Sequence, residues 1–461
     1  MSNDVSLQSA EVKAMALPWP MLDALLGGTS AMREAKEKLL PKQPREDKDD
    51  YDYRLSTATL FPAFARTVGV MVGKPFSKQL TLNSNVPERI VELAQDIDGE
   101  GRSLHVFAAD LMYELIAFGF GGVLVDYSRT DGQIKTQAEE KTSGVRPYWV
   151  HITHDQILGW RTGKQNGSTV LTQLRIAETA DVPDGEYGTK TVERIRVLTP
   201  GAWELHEKNA SGYQRIDGGT TTLQAIPFVP FYGRRLGFMK GASPLLDLAY
   251  QNVKHWQHQS DQDDSARFAR KRLLVASGID SKTMESVTAG SSYMLALPET
   301  GASVAVVQGS AESVSVGRSE LAALEAQMIQ TGAELLTAKP GSRTATEAAN
   351  DAEANKSDLQ RIVESFEDAL DQALQFTAMW LGLPDGGNVS LFKDFSAGSL
   401  SEASAQLLLS LQQGGAITKE TLIREQQRRG ILGADIDPAA ELEAVANEGP
   451  SLGTMNDGNG Q

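Results

Sequence analysis

Apolar positions between Leu359 and Leu381 recur at steps of three, one and four. Leu359, Ile362, Val363, Phe366, Leu370, Ala373, Leu374, Thr377, Trp380 and Leu381 share one helical face. The preceding residues, Ala345 to Asp358, are small, polar or acidic. Thr344-Ala-Thr-Glu347 has capping-box spacing, which satisfies free N–H groups of a first turn. One long helix is therefore predicted over 344–383, a length unusual in a globular enzyme. Ala338-Lys339-Pro340-Gly341-Ser342-Arg343 precedes it as a breaker loop flanked by two cations. A helix over 318–337 leads in, with Leu321, Leu324, Met328, Leu335 and Leu336.

Another helix is predicted over 243–272, with Ser243 as N-cap and Pro244 at the first helical position. Strand-like, glycine-punctuated residues 273–317 sit between these helices as a small αβ or β insert. Residues 147–232 read as an antiparallel β subdomain. Its hairpin signals are Asn166-Gly167, Asp184-Gly185, Ser211-Gly212 and Asp217-Gly218. Ile226 to Tyr232, with two prolines, read as an irregular edge segment. Ser103 to Phe118 form a buried helix that feeds a strand, Gly122 to Tyr127. Residues 51–72 are helical, and 1–50 are a peripheral arm ending in the charged linker Pro41 to Asp50. After 384 come a short strand within 388–395 and helices at 399–413 and 418–430. The last stretch, 447–461, has a disordered composition. The fold class is α+β.

The chain has 461 residues, 41% of them hydrophobic, enough for a real core and two to four domains. It has no cysteine, which excludes disulfides, thiolate nucleophiles and cysteine-ligated metals. Its net charge of −16 argues against a simple nucleic-acid binder. No cationic n-region leads into an apolar stretch at the N-terminus. The most apolar region, 104–125, carries His105, Asp110 and Glu114 and is too polar for a membrane span.

Motifs for chemistry fail on detail. Gly69 to Lys74 and Gly159 to Lys164 each lack one residue of a phosphate-binding loop and the following Ser or Thr. Gly119-Phe-Gly-Gly-Val-Leu124 has Leu where a dinucleotide fingerprint needs Gly or Ala. His151 with His154, and His255 with His258, have metal-ligand residue types, but zinc needs further ligands and outer groups that orient them, and polar residues in a subunit interface explain them better. No catalytic residue, cofactor or metal is predicted, and no enzymatic activity. The basic cluster Arg267, Arg270, Lys271 and Arg272 ends the 243–272 helix. It complements the helix dipole, contacts a neighbouring subunit or meets DNA phosphate.

The order of elements resembles the portal proteins of tailed bacteriophages: αβ wing, stem helix, insert, stem helix, breaker loop, long helix, C-terminal helices. The wording is most similar to a portal-like family described as a domain of unknown function, DUF4055. The residues that carry this include Tyr53-Arg54-Leu55, Gly122-Val-Leu-Val-Asp126, Ile157-Leu-Gly-Trp-Arg161, Ser243-Pro-Leu-Leu-Asp-Leu248 and Gly415 to Leu422. The likeness spans roughly residues 20 to 445. It implies a wing at 51–242, a clip at 273–317 and a tunnel loop at 338–343. It also implies a spine helix at 344–383 and a helical crown at 384–446.

The resemblance further implies a homo-oligomeric ring, usually of about twelve copies, at one capsid vertex. Its implied partners are the major capsid protein and scaffold, the terminase large subunit, a head–tail adaptor and double-stranded DNA passing without sequence specificity. No membrane partner is implied. The implied place is the virion, after assembly in the host cytoplasm. A different virion structural protein, such as a head–tail connector or minor capsid protein, is the alternative. Lys339, Pro340, Gly341, Ser342 and Arg343 would then face the channel, where a plain reading makes them a solvated connection. Glu347, Asp351 and Glu353 would line its acidic wall, where a plain reading makes them a solvated helix face. Such a wall repels phosphate locally, while an all-basic lumen would hold DNA through released counterions.

Overall fold

The computed structural model describes residues 4–128, 145–270, 273–277, 303–307, 311–334, 356–393, 418–428 and 437–447, and single positions 336, 395 and 412. It divides into two compact units, Met1–Leu391 and Phe392–Gln461. The first unit opens with three short helices, α1 (Ala10–Ala16), α2 (Trp19–Leu26) and α3 (Gly28–Glu34). These are not peripheral, contrary to the sequence reading. Leu22, Leu25 and Met32 are fully buried, as is Leu40 in the following linker. Four such side chains contribute on the order of 1.5–3 kcal/mol each, which a loose arm would forfeit.

Helices α4 (Lys48–Thr57) and α5 (Ala63–Gly73) follow, then the two-residue strand β1 (Thr81–Leu82) and α6 (Glu88–Leu93). Helix α7 (Leu104–Phe118) starts where Ser103, in extended geometry, accepts a hydrogen bond from Val106 N. It stops at Gly119, whose φ of 86° is left-handed. A Cβ there would sit 1.9 Å from the Ala242 carbonyl carbon, so only glycine fits.

The chain then enters β2 (Phe120–Tyr127), the centre of a three-stranded antiparallel sheet with β3 (Pro147–Ile152) and β9 (Phe228–Tyr232). The expected single β subdomain over 147–232 is thus two sheets. The second is a five-stranded meander of β4 (Ile157–Gln165), β5 (Ser168–Asp184), β6 (Gly188–Thr199), β7 (Ala202–Asn209) and β8 (Gly212–Thr220). Asn166-Gly167, Gly185 and Ser211 sit in hairpin turns between its strands. Asp217-Gly218 does not: both lie inside β8, beside a register shift that leaves Ile216 unpaired. The bulge absorbs the bend that the Asp-Gly pair signals. The residue pair Pro230↔Gly122 places Pro230 on an edge strand, where a missing N–H costs no ladder bond.

Arg196 ties the sheets together. From β6 it pairs with Glu178 of β5 at 2.5 Å and with Asp126 of β2 at 3.1 Å. Burial, then the neighbouring Asp126, pushes the Tyr148 phenol beside this cluster up to about 12.

After the small hairpin β10 (Arg234–Gly237) and β11 (Lys240–Ala242) come α8 (Leu246–Arg270), β12 (Leu273–Ser277), β13 (Ser303–Val307) and α9 (Ala311–Glu334). Helix α9 begins before the expected residue 318. Gly317, placed at the end of the insert by the sequence reading, lies inside it where α8 comes close: a Cβ would meet the Gln262 side chain at 1.9 Å.

Helix α10 (Asp358–Leu381) also differs from the expected 344–383 span. Ser357 caps it in extended geometry and Gln360 returns the bond, so the helix starts there. Residues 337–355 lie outside the described residues. The predicted stripe is buried at Leu359, Val363, Phe366, Leu370, Ala373, Leu374 and Thr377. It packs on the β3-β2-β9 sheet, where the Trp149 indole donates to Thr377 Oγ1 at 2.8 Å. Trp380 donates to the Val125 carbonyl at 2.9 Å. Strand β14 (Val389–Ser390) then pairs with β1. The second unit holds α11 (Lys419–Arg428) and α12 (Pro438–Asn447). The latter was not anticipated, although Asp437 caps it through Ala439 N and Pro438 opens it. The helix expected at 399–413 and the tail after 447 lie outside the described residues. Among the described residues, no helix is long and apolar enough to cross a membrane.

Arg54 is the most buried cation described, with its side chain 4% exposed. It donates to both oxygens of Glu46, at 2.7 and 2.9 Å, and to the Pro41 carbonyl. Arg54→Ala leaves the Glu46 carboxylate without its cation, held only by the Gln43 N–H, and should cost about 3–5 kcal/mol, read as a lower thermal midpoint. The hydrogen bond from Arg54 holds Glu46 below the usual carboxylate range. The pair's stabilisation is therefore full above that range and lost as pH falls through the lowered value. Unfolding curves against pH should show this acid-side loss in the parent and a reduced one in the variant.

Candidate functional site

Helices α8 and α9 form an antiparallel pair. Leu248, Ala249 and Trp256 of α8 turn inward, as do Leu321, Leu324 and Met328 of α9. Three polar contacts set position and register. Asn252 is fully buried, accepts from Phe64 N at 2.9 Å and donates to the Phe61 carbonyl at 2.8 Å. It fixes α8 against the start of α5. His255 Nε2 meets Glu325 Oε1 at 3.1 Å, and Gln262 donates to the Val314 carbonyl at 2.8 Å. A shift by one residue along either helix would break both cross-helix contacts.

The pair runs into a two-stranded ribbon. Antiparallel β12 and β13 pair from Leu273↔Val307 to Ser277↔Ser303, immediately after α8 and just before α9. Two helices bracketing a pair of antiparallel strands match the order of helix, β insert and helix that the sequence suggested for this region.

The predicted site residues fare unevenly. Arg267 is committed to packing. It donates to Thr57 Oγ1 at 2.9 Å, pairs with Asp264 at 3.2 Å and lies 4.7 Å over the Tyr53 ring. Arg270 is exposed. Lys271, Arg272, Lys339, Pro340, Gly341, Ser342, Arg343, Glu347, Asp351 and Glu353 lie outside the described residues. Several acids of α10 have structural partners. Glu367 is buried and accepts from Leu391 N at 2.6 Å, Asp371 accepts from Val389 N at 2.8 Å, and Glu364 pairs with Lys356 at 2.9 Å.

The histidines weighed as metal ligands also have other neighbours. His154 Nδ1 lies 2.5 Å from Glu114 Oε1, and its ring stacks on Phe118 at 3.8 Å. Burial lowers the His151 pKa. Among the described residues, no three His, Cys, Asp or Glu side chains group to hold a metal ion. Sequence reasoning missed the contacts of Asn252, His255 and Gln262. The one available signal was polar residues recurring on the inward stripe of an otherwise apolar helix face.

Residues 244–381, from just before α8 to the end of α10, match the model of a domain of unknown function, DUF4055. No curated protein matches the chain. Among solved structures, the chain is similar to the neck of an empty GTA particle computed with C6 symmetry. That likeness has 13% identity over 79% of this chain and 89% of the other, with a TM-score of 0.39. It is also similar to the neck of a native GTA particle computed with C12 symmetry, at 11% identity over 80% and 89%, with a TM-score of 0.38.

Arg267 and Arg270 separate packing from free charge. A double-mutant cycle of Arg267→Ala with Tyr53→Ala should show a coupling of about 0.5–1 kcal/mol in denaturant unfolding. Arg270→Ala should leave the midpoint unchanged. Equal effects of the two single arginine variants would contradict the packing role of Arg267.

Proposed function

We propose that this chain is a virion structural protein of the portal type, a ring-forming conduit for DNA at one capsid vertex. The observation that carries the reading is the element series inside residues 244–381. Two antiparallel helices feed one β ribbon, and a long amphipathic helix then packs back on the wing sheet. The same order gave the resemblance to portal proteins from sequence. In this reading α8 and α9 are the stem, and the ribbon with residues 278–302 is the clip that meets the packaging motor and later the tail adaptor. The loop 338–343 lines the channel, with Lys339 and Arg343 as its cations. Twelve-fold symmetry, capsid and scaffold contacts, and assembly in the host cytoplasm belong to the same proposal.

The ring performs no bond chemistry. Its task is to hold an opening and to let a polyanion slide. The chain's net charge of −16 suits that task, since a uniformly basic tube would bind DNA cumulatively. A few cations at a constriction position the duplex without retaining it.

Lys339→Ala combined with Arg343→Ala tests the conduit role. In this reading both cations face the channel and not a core, so their removal should leave fold and assembly intact, since a charge in solvent contributes only about 0–1 kcal/mol. The expected outcome is normal particle assembly with altered DNA packaging or retention, measured as packaged DNA per particle. Unchanged packaging and yield in correctly assembled particles would refute the channel role of this loop.

A further inference from the structure

The five-stranded sheet carries an arm that it does not support. Strand β4 pairs with β5 only as far as Ile176, and β7 pairs with β6 only from Arg194. Between Ala180↔Val192 and Asp184↔Gly188, β5 and β6 have only each other. A lone two-stranded ribbon is marginal in water. At its tip, Tyr187 is 91% exposed and its hydroxyl donates to Glu186 at 2.7 Å. The tip is acidic, through Asp184 and Glu186.

At the opposite end of β5 lies a groove of about 640 Å³, walled by the β4–β5 hairpin, β9 and α10. That is within the roughly 300–1,000 Å³ of clefts that bury a guest group. Val170, Leu171, Phe228, Pro230 and Phe376 make its surface apolar. Exposed Lys164 and Arg235 stand on its rim, with Asp368 as the carboxylate among the lining residues. Lys164 donates to Thr169, and Arg235 lies over the Tyr232 ring. Among the described residues neither cation has a carboxylate partner.

We propose that the arm of one copy inserts Tyr187 into this groove of a second copy, with Asp184 and Glu186 facing Lys164 and Arg235. A chain cannot fill its own groove. Leu171 lines the groove and Asp184 holds the tip, and the strand between them spans roughly 40 Å at ~3.3 Å per residue. Donor and acceptor therefore sit at opposite ends of one strand. Such a contact is heterologous, and it closes into a ring when the rotation between copies allows. This contact rests on the ring reading for its occupant, a second copy, and adds the surface through which wings join.

The chain has no cysteine, so introduced thiols report the contact cleanly. Full-length Tyr187→Cys and Gln372→Cys proteins, the latter on the exposed groove side of α10, are mixed, assembled and treated with a short bis-maleimide. The contact gives a covalent dimer in the mixture and none in either protein alone. The double variant gives a ladder of higher species. Rings visible by electron microscopy without the mixed dimer overturn the contact and leave the ring reading standing. Unsubstituted protein that never assembles, even with scaffold, overturns both.

Charge reversal supplies an independent measurement that keeps the aromatic tip. Glu186→Arg should raise the concentration for half-assembly by about tenfold. Lys164→Glu with Arg235→Glu should restore it. A loss that the reversed groove does not rescue counts against the pairing.

Discussion

Burial of the α10 stripe on the β3-β2-β9 sheet is the contact on which the first unit depends. Helix α10 begins more than two hundred residues after β3 in the chain, so its apolar face closes the sheet only through a long-range contact. Phe366 and Leu370 supply the area, and the Trp149 and Trp380 indoles fix the seat by donating to Thr377 and Val125. Without that cover, the sheet's apolar face would lie in water, and α10 would expose a stripe worth several kcal/mol. The polar groups of α10 then build outward. Glu367 and Asp371 accept backbone N–H bonds from Leu391 and Val389, which holds β14 against β1.

The N-terminal helices give the helix pair a base. Asn252 locks α8 to α5, while Arg54, through Ser260, and Arg267, through Thr57, tie α8 to α4. From that base α8 and α9 carry the β12–β13 ribbon at their end. The chain spends its buried polar contacts at joints between elements, where register matters more than net stability. Arg196 does the same between the two sheets. Breaking one partner of such a joint is costly, whereas replacing a whole joint by apolar groups need not be.

Local signals in the sequence were legible where they acted alone. Ser103 and Gly119 bounded α7, Asn166-Gly167 marked a hairpin, and the Leu359–Leu381 period gave the buried face of α10. Misreadings arose where two local signals competed or where distance decided. Ser357 also begins a capping-box pattern, directly before the apolar run, and it is the cap of α10. Gly317 reads as the end of the insert, yet it lies inside α9 at a close helix approach. The split into two sheets depends on β2 pairing with β9, about a hundred residues away, which no period reveals. The buried role of Arg54 was hidden because its partner sits in a segment whose composition resembles a solvated linker. Of the candidate site, the order of helix, β insert and helix was legible. Arg267 was not, since only tertiary packing shows a cation committed to Tyr53 and Thr57.

The central claim is that these helices and sheets are one segment of a closed ring. Electron microscopy of the assembled chain, taken from particles or after purification with scaffold, tests it most directly. The account predicts rotationally symmetric rings with a central hole, the α8–α9 pair projecting to one end and residues 338–343 at the hole. Monomers or dimers alone, across salt and protein concentration and in particle-derived material, would contradict it.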